Sequence, residues 1–208
     1  MDYPLQLIAP REDITIYIPN PAQIQEHYQK LRSNNKDCPF PFWAKIWPSS
    51  IALSDFLTTK PHWIEGKQVL ELGAGIGLPS FAIANKAKSI LVSDHSIEAV
   101  ELLQKNIEFT GATNVTAACI DWNEFPESIH ADVILLSDIN YAPDQFESLL
   151  TLINQFLLNG STIIIATPQR IMGNTFINVL QPYIKEQSER IIKSQEGTTT
   201  ISIFVLFE

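Results

Sequence analysis

Short, almost purely apolar runs recur along the second half of this chain, separated by longer segments whose apolar positions fall every three or four places. The runs "KQVLEL", "SILVSD", "NVTAACI", "ADVILLSD" and "STIIIAT" predict buried strands. The segments between them, "LPSFAIANKA", "IEAVELLQKNIEF", "PDQFESLLTLINQFLL" and "NTFINVLQPYI", predict helices. The tail, "RIIKS" and "ISIFVLF" around "QEGTTT", predicts two closing antiparallel strands. Strands that are apolar on both faces and alternate with helices predict a doubly wound α/β sheet with a mainly parallel core.

The first part of the chain is patterned differently. Seven of the 13 prolines lie within the first 48 residues, around one short strand, "ITIYI", and one helix, "AQIQEHYQKLRS". Residues 1–45 therefore read as an extension packed on the core, and 46–208 as the main domain. The helix "SSIALSDFLTT" follows, with Ser49 or Ser50 placed to cap it.

Composition narrows the setting. With 208 residues, 45% hydrophobic and 18% charged, the chain can bury a core of its own. The net charge of −9 comes with no cluster of Lys and Arg, which disfavours a nucleic-acid partner and favours a basic or neutral one. No apolar run reaches the roughly 20 residues of a membrane span, and "MDYPLQLIAPRED" lacks the layout of a secretory signal. Two cysteines, Cys38 and Cys119, make no metal-spaced set, so no metal site is expected and a reducing, cytoplasmic location is.

Candidate chemistry sits where strands end. After "KQVLEL" comes Glu71-Leu72-Gly73-Ala74-Gly75-Ile76-Gly77. Such glycines let the backbone approach a ligand. The third glycine comes one place earlier than in a dinucleotide fingerprint, which disfavours a nicotinamide-dependent dehydrogenase. Pro79 then suits a first helical turn. Asp94 ends the next strand, where it serves either a ribose or the cap of the following helix. Asp121-Trp122 follows the third strand, and the tryptophan reads equally as a stacking platform or a core residue. His95 shows no partner in the sequence and reads as structural or solvent-facing. The fourth strand exits through "VILLSDINYAP", which puts Asp138 and Tyr141 three places apart just past a buried run.

The Glu-x-Gly-x-Gly-x-Gly turn resembles motif I of class I S-adenosylmethionine-dependent methyltransferases. "PFWAKIWPSSIALSDFL" ahead of it resembles the lead of the seven-strand lysine methyltransferase family, which includes the electron-transfer flavoprotein β-subunit enzyme and an arginine-modifying branch. The resemblance runs from about Phe40 to Arg170. It implies a Rossmann-like class I fold, with a doubly wound, mainly parallel seven-stranded sheet whose last strand is antiparallel. It also implies S-adenosylmethionine as cofactor, held by Trp47, Glu71, Gly73, Ala74, Gly75, Asp94, Asp121, Trp122 and Ser137. Asp138 and Tyr141 fall on the family's Asp-x-x-Tyr motif, where acceptor meets methyl donor. The lead resembles the flavoprotein-modifying branch and the Gly-Ala-Gly-Ile-Gly-Leu-Pro turn the arginine branch, so the match speaks to class more than substrate. Trp43 reads as either an acceptor-channel wall or an aromatic plug.

Methyl transfer from a sulfonium needs near-attack geometry, dry surroundings and an acceptor lone pair. A lysine amine, with an ordinary pKa of roughly 10.4, must first lose a proton. Asp138 is expected to accept a hydrogen bond from that nitrogen, with Tyr141 in the wall. Asp138→Ala is expected to abolish transfer while sparing cofactor affinity. The expected acceptor is a lysine or arginine side chain of a protein. A small amine of the nicotinamide kind, or a noncatalytic cofactor-binding module, are the alternatives. Asp-Ile-Asn-Tyr also echoes the Asp/Asn-Pro-Pro-Tyr signature of amino-methyltransferases acting on nucleobases and glutamine, with Asn140 where that has proline.

Overall fold

A computed structural model of the chain describes residues 4–34, 40–140, 142–169, 171–194 and 197–208, without the side chains of 34 and 171–174. Seven strands form one sheet: β3 (Gln68–Leu72), β4 (Ser89–Asp94), β5 (Val115–Cys119), β6 (Val133–Ser137), β7 (Thr162–Pro168), β8 (Ile184–Ser194) and β9 (Gly197–Leu206). Their order is β5-β4-β3-β6-β7-β9-β8. The pairs β3/β4, β4/β5, β3/β6 and β6/β7 are parallel. The last strand, β9, runs antiparallel to both of its neighbours. Val133 to Leu136 and Ile163 to Ile165 are fully buried, as strands covered on both faces must be. The chain winds outward from β3 through β4 to β5, then returns to β6 and winds the other way. A crevice therefore opens at the carboxyl ends of β3 and β6, where doubly wound folds bind ligands.

Helices α2 (Pro48–Thr59), α3 (Leu78–Ile83), α4 (Ile97–Thr110), α5 (Phe146–Leu158) and α6 (Ile171–Leu180) connect and cover the strands. Ile83, Leu102 and Leu103 lie in one buried cluster with Leu53 and Phe56 of α2, and Leu149, Leu152 and Ile153 lie in the other. Several local expectations change. Neither Ser49 nor Ser50 caps α2. Pro48 occupies its first turn and Trp47 is the cap residue, while Ser49 is buried inside the helix. The α3 helix stops at Ile83 rather than continuing through "ANKA". The carbonyls of Ala84 and Ala87 there accept from Asn114 Nδ2 at 2.8 and 2.9 Å. The β8 strand begins six residues before "RIIKS", because its early half alternates polar and half-buried positions.

Before the sheet stand a two-stranded hairpin, β1 (Leu5–Arg11) and β2 (Ile14–Pro19), and the helix α1 (Pro21–Asn34). β2 holds "ITIYI"; β1 was hidden by Pro10, which sits where the β1 register shifts. Ile14, Ile16 and Ile18 join the same buried cluster as α2 and α4. Asn106 of α4 clasps the hairpin, accepting from Tyr17 N at 2.7 Å and donating to Tyr17 O at 3.0 Å.

Candidate active site

The floor of the crevice is the turn after β3. Gly75 N donates to Asp94 Oδ2 at 2.9 Å, and Ser96 N donates to Oδ1 at 3.0 Å. These bonds aim a buried carboxylate, only 4% exposed, along the end of β4. Ser96, not Asp94, caps α4, accepting from Ala99 N. Gly75 has φ +55°, and a Cβ there would lie 3.0 Å from the carbonyl oxygen of Trp43. Only glycine fits between that backbone and whatever the turn faces. Gly77 has a different task. Its Cβ would meet Leu103 Cδ2 at 2.6 Å, so the third glycine brings α3 against α4.

On one side, Trp122 lies edge-on to the turn, its Cζ3 3.2 Å from where a Gly73 Cβ would stand. Gln145 Oε1 accepts from Trp122 Nε1 at 3.1 Å, and Asp121 caps the short turn that carries the ring. On the other side stand α1 and the segment Phe40–Trp47, where Trp47 Nε1 donates to Phe42 O at 2.9 Å. Between them β6 ends at Ser137 and Asp138. Ser137 Oγ is buried with no hydrogen-bond partner among the described residues. Asp138 is 7% exposed and adopts φ +56°, pinned by its N–H donating to Ala166 O at 2.9 Å. All of these line one cavity of about 940 Å³, together with His95, Glu98 and Asp144.

Two groups here titrate away from their ordinary values. His95 Nδ1 lies 3.4 Å from Asp94 Oδ1, and that contact raises the His95 pKa against the opposing effect of burial. Glu71 is fully buried behind the turn. Desolvation pushes its carboxyl up to about 7, although Ser80 N and Ser80 Oγ donate to Oε2. Its other oxygen, Oε1, has no partner among the described residues.

A carboxylate for a diol, a glycine cradle with no room for a side chain, an aromatic edge and an unused hydroxyl form a donor set that suits an adenosine with a charged tail. The chain matches the model of the lysine methyltransferase family over residues 30–183. The chain belongs to this family. It is 28% identical to the Mus musculus histone-arginine methyltransferase METTL23 over 111 residues, covering 50% of this chain and 44% of that protein. With the Mus musculus electron transfer flavoprotein beta subunit lysine methyltransferase it shares 32% over 141 residues, covering 62% and 51%. The chain thus spans about half the length of these curated relatives. The N-methyltransferase NodS from Bradyrhizobium japonicum WM9, solved in complex with S-adenosyl-l-homocysteine, superposes with a TM-score of 0.62 at 17% identity, covering 87% of this chain and 98% of that one. At that identity the likeness concerns the fold, a class I methyltransferase sheet.

Against this lysine methyltransferase frame, the residues singled out in the sequence fall into three groups. Trp47, Gly73, Ala74, Gly75, Asp94, Asp121, Trp122, Ser137 and Asp138 all line the cavity. Glu71 does not line it; it holds the first turn of α3 through Ser80. Tyr141 lies outside the described residues, as do Cys38 and Arg170. Trp43 lines the cavity and packs against the core at once. His95, read as unpartnered, has Asp94 as its neighbour and joins the lining. Sequence reasoning missed His27, Tyr28 and Leu31 of α1, and also Gln145. For Gln145, its place in the loop after β6 was the available signal. For α1, only the folding back of the chain puts it there. No metal-holding group of His, Cys, Asp and Glu occurs among the described residues. Nor is any described helix long and apolar enough to cross a membrane.

Proposed function

We propose that this chain transfers a methyl group from S-adenosylmethionine to a side-chain nitrogen of a protein, lysine before arginine. The observation that carries the proposal is Asp138. A buried carboxylate, held in a costly backbone conformation at the end of β6, opens onto the same cavity as the Gly75–Asp94 pair. When bound, the cofactor supplies an electrophilic methyl on a sulfonium. Asp94 is then the partner for the ribose hydroxyls, and Gly73, Ala74 and Gly75 pass beside the methionine part. Trp122 and Asp121 take the adenine, and Trp47 and Ser137 complete the lining. Asp138 accepts a hydrogen bond from the acceptor nitrogen, orients its lone pair and draws the leaving proton. The names of the two relatives, one acting on a histone arginine and one on a flavoprotein subunit lysine, support a protein acceptor. The net charge of −9 suits a basic one. A cytoplasmic setting belongs to the same proposal, with the exposed thiol of Cys119 compatible with it.

Methyl-labelled S-adenosylmethionine and the purified chain, added to a lysate of the source cells, test this. Label is expected in a discrete protein band, removed by protease and mapped by mass spectrometry to a lysine. Label confined to the small-molecule or nucleic-acid fraction contradicts a protein acceptor.

A further inference from the structure

One side of the sheet ends at β8, which among the described residues pairs with β9 alone. Its outer edge therefore presents a row of backbone N–H and C=O groups to any strand laid beside it. From Glu186 onward the strand alternates. Glu186, Ser188, Arg190 and Ile192 are half-buried or buried, on the face where Lys60 of α2 pairs with Glu186 and Ile192 joins the core. Gln187, Glu189, Ile191 and Lys193 stand exposed on the other face.

Ile191 is the misfit among them. It keeps 67% of its surface exposed, and its neighbour across the ladder on β9 is Thr200. Glu189 and Lys193 flank it two residues away on either side, one charge of each sign. Gln169 Nε2 donates to Glu189 Oε1 at 2.6 Å and steadies that carboxylate.

A strand that pairs antiparallel with its own copy about a twofold axis sets residues of the same face opposite one another. The axis then passes between one residue and its copy. An axis at Glu189 sets carboxylate against carboxylate, and an axis at Arg190 sets guanidinium against guanidinium. An axis at Ser188 needs Glu186 for Arg190, and Lys60 already holds Glu186. An axis at Ile192 leaves Ile191 opposite Lys193. An axis at Ile191 packs that side chain on its copy and sets Glu189 opposite Lys193 twice, once on each side. On the other face the Arg190 stem then covers Ile192. Opposite charges across a ladder stabilise it and like charges oppose it. The charges that reject the neighbouring alignments thus select this one.

We infer that β8 is a dimerisation edge, which pairs antiparallel with β8 of a second copy of this chain about a twofold axis at Ile191. The pairing runs from Ser188 to Ser194 and continues one sheet through both copies. Such an interface is small, which suits a reversible dimer rather than a permanent one. The cavity lies at the switch between β3 and β6, away from this edge, so each copy keeps its own site open.

Sedimentation velocity of the full chain over a range of concentrations tests this. A reversible monomer–dimer equilibrium is expected, abolished by Ile191→Lys, which brings two ammonium groups to the axis. Lys193→Glu sets a carboxylate against Glu189 and is expected to weaken the dimer about tenfold. The double variant Glu189→Lys/Lys193→Glu reverses both charges and is expected to restore it. Ile191→Cys is expected to cross-link to its copy under mild oxidation. Opposing Cα atoms of an antiparallel pair lie roughly 4.5–5.5 Å apart, within the reach of a disulfide. Gln187→Cys, on the same face with the same native cysteines, is expected not to link. S-adenosylhomocysteine affinity within about twofold of wild type checks that each variant is folded. A monomer at every concentration overturns the inference. So does a dimer indifferent to Ile191→Lys, a double variant no better than Lys193→Glu alone, or equal cross-linking at positions 187 and 191.

Discussion

Asp138 is the only non-glycine residue with positive φ among the described residues. Such a conformation costs on the order of 1 kcal/mol and persists where neighbours over-determine it. Here the Ala166 carbonyl does so, and the strained residue is also the one we propose for presenting the acceptor nitrogen. Gly75 shows the converse, a position where no side chain is allowed. Gly75→Ala would place a methyl group 3.0 Å from the Trp43 carbonyl, in a backbone region that alanine avoids. We expect at least a tenfold loss of S-adenosylhomocysteine affinity by calorimetry, with the fold intact by circular dichroism. Glu71 bears on stability through its burial. Its folded pKa of about 7 stands above the ordinary 4.5, so the folded state retains a proton that the unfolded chain has lost between those values. Stability therefore falls as pH rises through that window, by on the order of 3 kcal/mol. Glu71→Gln keeps an acceptor for Ser80 and should flatten the trend. Thermal unfolding at pH 5 and pH 8 would show it, and equal slopes for both proteins would refute it.

At the scale of elements, the site depends on how β6 and β7 end together. Thr167 Oγ1 donates to Asn140 Oδ1 at 2.6 Å, both residues being almost wholly buried, while Asn140 Nδ2 has no partner among the described residues. This bond ties the exit of β6 to its neighbour just beyond Asp138. Thr167→Val keeps the shape and removes the donor, leaving the buried amide unpaired at both ends. A loss of about 1–3 kcal/mol is expected, with kcat falling and cofactor affinity unmoved. A fall in stability with kcat unchanged would show that the bond is structural only. Elements also set what was legible beforehand. The parallel strands were, since burial on both faces writes an apolar run. The β1 strand was not, because Pro10 and a register shift break its pattern. The early half of β8 was not, because one face of an edge strand stays polar.

Across the whole molecule, the strand-end lining of the cavity could be read in advance and the rest of its lining could not. Gly75, Asp94, Trp122 and Asp138 each lie at the carboxyl end of a strand or within three residues of it, so the strand order alone brings them together at the switch between β3 and β6. The rest of the lining includes residues of α1 and of the segment Phe40–Trp47, which precede the sheet in sequence and reach the crevice only through the fold. Nothing in the periodicity of "AQIQEHYQKLRS" marks that journey. Glu71 turns toward Ser80 and away from the cavity lining, and motif spacing does not tell which way a buried carboxylate turns.

We propose that one end of this cavity holds the methyl donor and that Asp138 presents the acceptor. Asp138→Asn tests it most directly, because asparagine tolerates the same positive φ and removes only the charge. Wild type and variant should be compared for S-adenosylhomocysteine affinity by calorimetry and for methyl transfer to lysate protein. Affinity within threefold together with at least a hundredfold loss of transfer is the expected result. Transfer that survives in the variant, or cofactor binding lost with it, would contradict the assignment.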